Sequence, residues 1–471
     1  MRFPTTAALL CLPLVALAGA LPAAGQDSGA GDVFPYPVHR TVLDNGLQVV
    51  VVPYDSPGVV AYYSVVRTGS RQEVEPGHSG FAHFFEHMMF RGTETYSTEE
   101  YNDALKAMGA DSNAFTTDDW TNYYVVGPAA ELEKIMELES DRFLNLEYTE
   151  PEFRTEAQAV LGEYNMNASN PFRALHERLR ELAFEEHTYE HTTLGFLDDI
   201  KAMPGYYDYS LSFFDRFYRP ENVIVLVVGD VEPERVASLA RTYYGAWEPG
   251  YQPVEIATEP PQTERRVAEV PWPNPTRPHL TMGWHVPAFD TATVDTAALD
   301  LIGELLFSEN APLYKELVVE KQLVEFISGG APFRRDPYIF TVTTRLRSEE
   351  AVGEVEATLA RYLQGLKDAP VDRERLDRIK SHLRYDFALA LDSAPSVAVI
   401  VAEFLNLTGD PESINRLYRQ YQAVTPEDVQ RVTREVFKES NQTVIRLAHA
   451  GAAAAGEGEG AADGESGEGG E

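Results

Sequence analysis

Cysteine is almost absent from this 471-residue chain, and the single one, Cys11, lies close to the N-terminus. Stabilisation by disulfides is therefore excluded, and any bound metal would need nitrogen and oxygen ligands. Hydrophobic runs long enough to span a bilayer are absent after the first 25 residues. Basic residues are scarce, since 39 Lys and Arg stand against 74 Asp and Glu, and the resulting net charge of -35 makes nucleic acid a poor partner.

The first 25 residues have the order of a secretory signal peptide. Arg2 supplies positive charge, an apolar stretch runs from Ala7 to Ala20, and small residues cluster on both sides of Leu21. A short membrane anchor is the alternative, and the small residues disfavour it. We therefore predict an exported protein, periplasmic or secreted, without a membrane span in its mature chain and without Cys11.

Strand-like and helix-like segments alternate along the rest of the chain. Runs such as Val59–Val66 and His279–Val286 predict strands, and amphipathic stretches such as Thr98–Met108 predict helices. This alternation predicts an α+β fold with two domains of related structure, each a mainly antiparallel sheet flanked by helices. The predicted divisions are a signal peptide over 1–25, domains over 36–250 and 270–448, and a disordered acidic tail over 449–471.

A weak internal repeat supports two related halves. Residues 217–222 and 436–441 each combine a helix end with a turn containing asparagine, and each leads into an apolar strand. Between the halves, residues 247–275 are rich in proline and glutamate, and part of this stretch is predicted to be a linker.

The segment from His83 to His87, His-Phe-Phe-Glu-His, carries the clearest chemistry. On a helix the two histidines share a face, so both imidazoles are able to bind one ion, and Glu86 lies at the edge of that face. Catalytic zinc takes three protein ligands and lowers the pKa of its water to about 7, so that a nearby carboxylate takes the proton. His-x-x-Glu-His is the inverzincin arrangement. A chance match on an ordinary helix is the alternative, and the large apolar neighbours disfavour it.

A third ligand is expected from the helical segment that contains Glu156 and Glu163. These two glutamates are seven residues apart and therefore point the same way on a helix. One of them would bind zinc while the other supports the site from outside the ligand set. A solvated helix face is the alternative for either residue alone, in a chain with 74 acidic residues.

These motifs resemble those of the superfamily that contains pitrilysin, insulin-degrading enzyme and the mitochondrial processing peptidase. The resemblance extends from about His39 to Leu447 and includes the zinc helix, the segment Gly109–Thr116 and the stretch Tyr218–Asn222. It implies a zinc metalloendopeptidase with one zinc ion per chain. The implied roles are zinc ligation by His83, His87 and Glu163, general-base catalysis by Glu86, support of the ligands by Glu156, and substrate binding by Asn113, Ala114 and Phe115.

The implied substrate contacts come from the resemblance alone. Asn113 and Ala114 would bind the peptide backbone by strand addition, and Phe115 would line a side-chain pocket. Without the resemblance, a plain turn into a strand is the simpler interpretation of these residues.

The chain departs from the family pattern in its second half. Active members carry an arginine and a tyrosine there, in a stretch like Leu-Arg-Glu-Lys-x-Gly-Leu-Ala-Tyr, that stabilise the reacting carbonyl oxygen. Val318 stands at the arginine position and Glu325 at the tyrosine position, and neither donates a hydrogen bond to an oxyanion. The hypothesis that follows is a heterodimer in which this chain bears the metal and a homologous partner supplies Arg and Tyr.

Two non-enzymatic functions remain as alternatives. Some relatives with this fold are structural subunits, although these typically lose the zinc residues that are present here. A zinc-binding or scavenging protein would keep the ligands but would not need Glu86.

Overall fold

The computed structural model describes residues 32–449, so the predicted signal peptide and nearly all of the predicted acidic tail lie outside the described residues. The strands are β1 (His39–Val42), β2 (Gln48–Pro53), β3 (Val59–Val66), β4 (Asp111–Thr116), β5 (Thr121–Pro128), β6 (Val223–Gly229), β7 (Arg266–Trp272), β8 (His279–Val286), β9 (Val324–Gly330), β10 (Tyr338–Leu346) and β11 (Gln442–His449).

The helices of the first half are α1 (Phe81–Met88), α2 (Thr98–Met108), α3 (Leu132–Leu144), α4 (Glu150–Asn167), α5 (Pro171–Ala183), α6 (Leu197–Ala202), α7 (Tyr207–Phe217) and α8 (Pro233–Tyr244). Those of the second half are α9 (Asp295–Phe307), α10 (Pro312–Tyr314), α11 (Ala351–Asp368), α12 (Arg373–Ala390), α13 (Ala394–Thr408), α14 (Ser413–Ala423) and α15 (Pro426–Val436). None of the helices within residues 32–449 is long and apolar enough to cross a bilayer.

Two mixed sheets with mainly antiparallel pairing form the framework, as the alternating sequence pattern predicts. The first sheet has the order β1-β2-β6-β3-β5-β4, and the second has the order β7-β11-β8-β10-β9. Each contains one parallel pair, β2 with β6 and β7 with β11. Strand β7 occupies part of the proline-rich stretch 247–275, so the connection between the sheets is shorter than that whole stretch.

The weak sequence repeat corresponds to a repeat in topology. Strands β6 and β11 take the same place in their sheets, between a parallel and an antiparallel neighbour. A short 3-10 turn precedes each strand. In one turn the amide of Asn222 donates to the carbonyl of Phe217 at 2.9 Å, and in the other Asn441 donates to Val436 at 2.8 Å. The same side chain therefore terminates the preceding helix in both halves.

Each half contributes one helix that packs on the sheet of the other half. Helix α5 of the first half packs on β7, β8 and β11 of the second sheet, and α13 of the second half packs on β3 and β6 of the first sheet. The first sheet is consequently covered on both faces, and all seven residues of its strand β6 are buried. Helix α1 packs on β4 and β5, on the opposite face of the sheet from α13.

Buried ion pairs connect the halves beside these helices. Asp118, which is 3% exposed, accepts from Arg180 at 2.8 Å and from Arg334 of the second half at 2.8 Å. Burial by itself would raise the pKa of the Asp118 carboxyl, but the two guanidinium groups hold that pKa well below its usual range.

Replacing Asp118 by alanine is expected to lower the free energy of unfolding by about 3–5 kcal/mol at neutral pH, because Arg180 would be left buried without its carboxylate. The pKa of Asp118 is depressed by folding, so its contribution is present above the unfolded pKa of about 3.9 and is lost as the pH falls. Urea unfolding at pH 7 and pH 3 measures both effects. Asp111→Ala, at an exposed residue, is the control, and equal losses in the two variants would contradict the prediction.

Candidate metal centre

Helix α1 begins at a position that only glycine occupies easily. Gly80 has φ 93°, and a Cβ atom there would lie 2.7 Å from the carbonyl oxygen of Leu194. The buried carboxylate of Glu73 accepts hydrogen bonds from the backbone N–H groups of Gly80 and Ala82, both at 2.7 Å. These bonds satisfy free donors of the first turn, while burial raises the pKa of the Glu73 carboxyl to about 8. The helix therefore begins at Phe81, directly after this glycine.

The three predicted zinc ligands lie together. Donor atoms of His83, His87 and Glu163 are all within 4.8 Å of one another. The Nε2 atom of His83 lies 3.6 Å from the Glu163 carboxylate, and Nε2 of His87 lies 3.5 Å from it. The histidines are one turn apart on α1, and Glu163 reaches them from the long helix α4, which packs against α1. A contact between segments 76 residues apart thus completes the cluster.

Glu156 lies one layer behind this cluster, as its seven-residue spacing from Glu163 predicts. Its Oε1 atom is 2.9 Å from Nδ1 of His87, and its Oε2 atom accepts from Nε of Arg91 at 2.6 Å. The carboxylate is buried, with only 7% of the side chain exposed. Glu156 therefore orients the His87 ring with Nε2 towards Glu163. Sequence reasoning missed Arg91, which lies just past the end of α1 at Met88.

Glu86 lies beside the cluster and outside the ligand set. Its Oε2 atom accepts a hydrogen bond of 2.7 Å from the hydroxyl of Thr116, the last residue of β4. Burial raises the pKa of the Glu86 carboxyl, which makes it a better proton acceptor than an exposed glutamate when ionised. Thr116 is a second contact that sequence reasoning missed. The two-residue alternation of a strand places it on the same face as the buried Ala114.

The electrostatics of the cluster favour a cation. Burial lowers the pKa of His83 to about 4, so its ring is a neutral donor at pH 7. Although burial also opposes charge on His87, hydrogen bonds to Glu156 and Glu163 raise its pKa to about 9. The hydrogen bond from His87 lowers the pKa of Glu163 in turn. Two carboxylates therefore stabilise positive charge between the histidines.

This donor set fits zinc. Two imidazole nitrogens and one carboxylate oxygen are a ligand combination of catalytic zinc sites, which keep a fourth position open. Calcium and magnesium, in contrast, prefer ligand sets that consist of oxygen atoms alone. Nε2 of His83 faces the Glu163 carboxylate, and the buried Nδ1 atom of the same ring has no hydrogen-bond partner within residues 32–449.

The three predicted substrate residues lie in β4, at the edge of the first sheet. Among the described strands, β4 is hydrogen-bonded to β5 alone, so one of its edges is free for another strand. Asn113 is exposed and Ala114 is buried. Phe115 packs edge-on against Trp120 at 5.0 Å. The strand ends at Thr116, next to Glu86, so a peptide added along this edge would pass close to the histidines.

The second half contains the segment in which the family pattern has arginine and tyrosine. Val318 lies in a π-helical turn over Lys315–Glu320 and packs against the hydrophobic core. Glu325 forms ion pairs with Arg277 and Arg345. Gln322, at the position of the pattern's glycine, is the one non-glycine residue with positive φ (50°) in the described chain. A backbone that favours glycine at this point supports the alignment on which the two departures depend.

His187 and His191 are also four residues apart, but their side chains contact different partners. Nε2 of His187 contacts Asp336 of the second half at 2.9 Å, and its Nδ1 atom accepts from the backbone of Tyr189. His191 is buried, with Nδ1 3.7 Å from Glu73. Both contacts are consistent with structural roles.

Comparison with known proteins adds sequence matches over most of this fold. The family description "Insulinase (Peptidase family M16)" matches residues 49–195, and "Peptidase M16 inactive domain" matches residues 207–383. The chain is 31% identical over 422 residues to the zinc protease PqqE of Helicobacter pylori, with 87% of this chain and 93% of PqqE covered. It is 24% identical to the probable mitochondrial-processing peptidase subunit beta of Schizosaccharomyces pombe, with 84% and 88% covered.

Solved structures have the same fold. A protease from Helicobacter pylori superposes with a TM-score of 0.81 at 30% identity, and the match covers 88% of this chain and 99% of that one. The periplasmic protease PqqL from Escherichia coli matches with a TM-score of 0.72 at 19% identity. That match covers 90% of this chain but 49% of PqqL.

Proposed function

Since the chain belongs to the insulinase family of peptidases, family M16, we propose that it is a zinc-dependent endopeptidase that cleaves peptides or unfolded segments. The observation that carries this proposal is the convergence of His83, His87 and Glu163, with Glu86 beside them as a carboxylate that is not a ligand. A scavenging site would need the first three residues only.

Each side chain of the site would have a separate role in this reaction. His83, His87 and Glu163 would hold one zinc ion, which when bound supplies Lewis-acid polarisation of a carbonyl and acidifies water. Glu86 would take a proton from the attacking water and pass it to the leaving amine. Glu156 would keep His87 oriented through the 2.9 Å contact with its Nδ1 atom.

The substrate would bind as an additional strand on β4. Asn113 and Ala114 would pair with its backbone, and Phe115 would contact one of its side chains. Strand addition requires an extended peptide, because a folded substrate has already paired its backbone groups. This requirement favours unfolded segments over native proteins as substrates.

A partner subunit would complete the site. Val318 and Glu325 provide no donor for an oxyanion, and Glu325 is engaged with two arginines. A homologous chain with arginine and tyrosine at these positions would supply the missing donors. The fold of this chain corresponds to about half of PqqL, and two such units would be needed for a protein of that size.

Purified alone, the chain is expected to bind one zinc ion and to cleave unfolded peptides poorly. Addition of a homologous subunit with the arginine and tyrosine should raise kcat/KM by about a hundredfold, the usual value of an oxyanion donor. Steady-state cleavage of a fluorogenic peptide by the chain with and without the subunit measures this. Full activity of the chain alone would overturn the partner hypothesis but would leave the proposed peptidase activity in place.

We further propose export to the periplasm or the medium. The charged, apolar and small residues of the first 25 positions support it, and the fold is shared with a protein described as a periplasmic protease. A non-catalytic subunit of a similar assembly is the second candidate, because residues 207–383 match a domain described as inactive. The two candidates differ in their need for Glu86.

A further inference from the structure

Thr116 connects the edge strand of the first sheet to the carboxylate of Glu86. Its hydroxyl donates to Oε2 of Glu86 at 2.7 Å, and its backbone belongs to β4, where it pairs with Thr121 of β5. Thr116 is half-buried between strand and helix, and α1 packs directly on β4. The contact therefore joins the predicted base to the predicted peptide-binding strand.

We infer that Thr116 is a positioning residue for Glu86, an inference that rests on the proposed function. A carboxylate on a side chain with three rotatable bonds samples several orientations, and a hydrogen bond to one oxygen selects among them. With Oε2 held by Thr116, the other oxygen, Oε1, is left to accept a proton from water.

The same contact would make the position of the base depend on the strand. A peptide added to β4 would contact that strand along its free edge, and Thr116 is its last residue. Substrate binding and base alignment would then be coupled through one side chain, without a larger movement. The neighbouring hydroxyl of Thr121 donates to the carbonyl of Thr68 at 3.0 Å and lies 3.4 Å from the hydroxyl of Thr116, so it contacts Thr116 and not Glu86.

The test compares Thr116→Val, which keeps the shape of the side chain without its hydroxyl, with Thr116→Ser, which keeps the hydroxyl. In the enzyme with its subunits, Thr116→Val should lower kcat about tenfold or more with KM changed less than about twofold, since orientation of a base contributes to the chemical step. Thr116→Ser should retain most of the activity. Thr41→Val, which removes a half-buried threonine hydroxyl from β1 at the other edge of the sheet, is the matched control, and zinc content should be equal in all variants.

The orientation of the Glu86 carboxylate is a second readout, and it does not depend on catalysis. In crystal structures of the metal-free Thr116→Val chain, the Glu86 carboxylate should leave the orientation that it has beside the wild-type threonine. Unchanged kcat in Thr116→Val, or equal impairment in Thr116→Ser, would overturn the inference.

Glu86→Gln separates the inference about Thr116 from the proposed function, because activity retained in that variant would overturn the proposed base and the inference together. An inactive Glu86→Gln with a fully active Thr116→Val would overturn the inference alone.

Discussion

Replacement of Glu86 by glutamine is expected to lower kcat for peptide cleavage by about a hundredfold to ten-thousandfold while the chain keeps its zinc. Glutamine has the same shape and still accepts the hydrogen bond from Thr116 through its amide oxygen. It does not accept a proton at neutral pH. The substitution therefore removes the base and leaves the ligands His83 and His87 in place.

Three measurements together decide this prediction. Peptide cleavage reports the base, metal analysis reports the ligands, and thermal unfolding reports the fold. Glu99→Gln, an exposed glutamate on α2, is the matched control and should behave like the wild type. Retained cleavage in Glu86→Gln would remove Glu86 from the mechanism. Loss of zinc in that variant would instead assign Glu86 to the metal site.

Replacement of Glu163 by alanine is expected to weaken zinc binding by more than about a hundredfold and to abolish cleavage. Residues that only support a ligand typically contribute ten- to hundredfold to metal affinity, and a direct ligand contributes more. Without the Glu163 carboxylate, two imidazoles remain, and the negative charge that lies 3.5 Å from His87 is lost. The side chain of Glu163 is 33% exposed, so the substitution leaves no buried cavity.

Zinc titration followed by metal analysis measures the affinity directly. The wild type should also unfold at a higher temperature with zinc than with a chelator, because a ligand that binds only the native state stabilises it. This difference should disappear in Glu163→Ala. Glu150→Ala, on the same helix but exposed and paired with Arg154, is the control. Equal zinc affinity in Glu163→Ala and Glu150→Ala would exclude Glu163 as a ligand.

Local sequence patterns predicted much of the fold because they depend on near neighbours. The strands Val59–Val66 and His279–Val286 occur with the predicted bounds, and the short repeat around Asn222 and Asn441 reflects a shared topology. The exchange of α5 and α13 between the halves had no sequence signal, since it depends on which faces of distant helices meet.

For the candidate site, too, local sequence spacing predicted some features and tertiary packing decided others. The pair His83 and His87 is readable from the sequence because helical periodicity alone puts both rings on one face. The convergence of Glu163 with them needed the packing of α4 on α1. The contacts of Arg91 with Glu156 and of Thr116 with Glu86 also come from segments distant in sequence, and spacing does not encode such contacts.

By itself, the sequence determined which residue types are available for metal and base chemistry, since one cysteine and the His-x-x-Glu-His segment leave nitrogen and oxygen ligands as the choice. The tertiary structure decided the distances. It places Glu163 3.6 Å from His83 and Thr116 2.7 Å from Glu86, and it directs Glu325 towards arginines. The physical reason is that periodicity fixes directions within one helix or strand, whereas only packing brings separate elements within bonding distance.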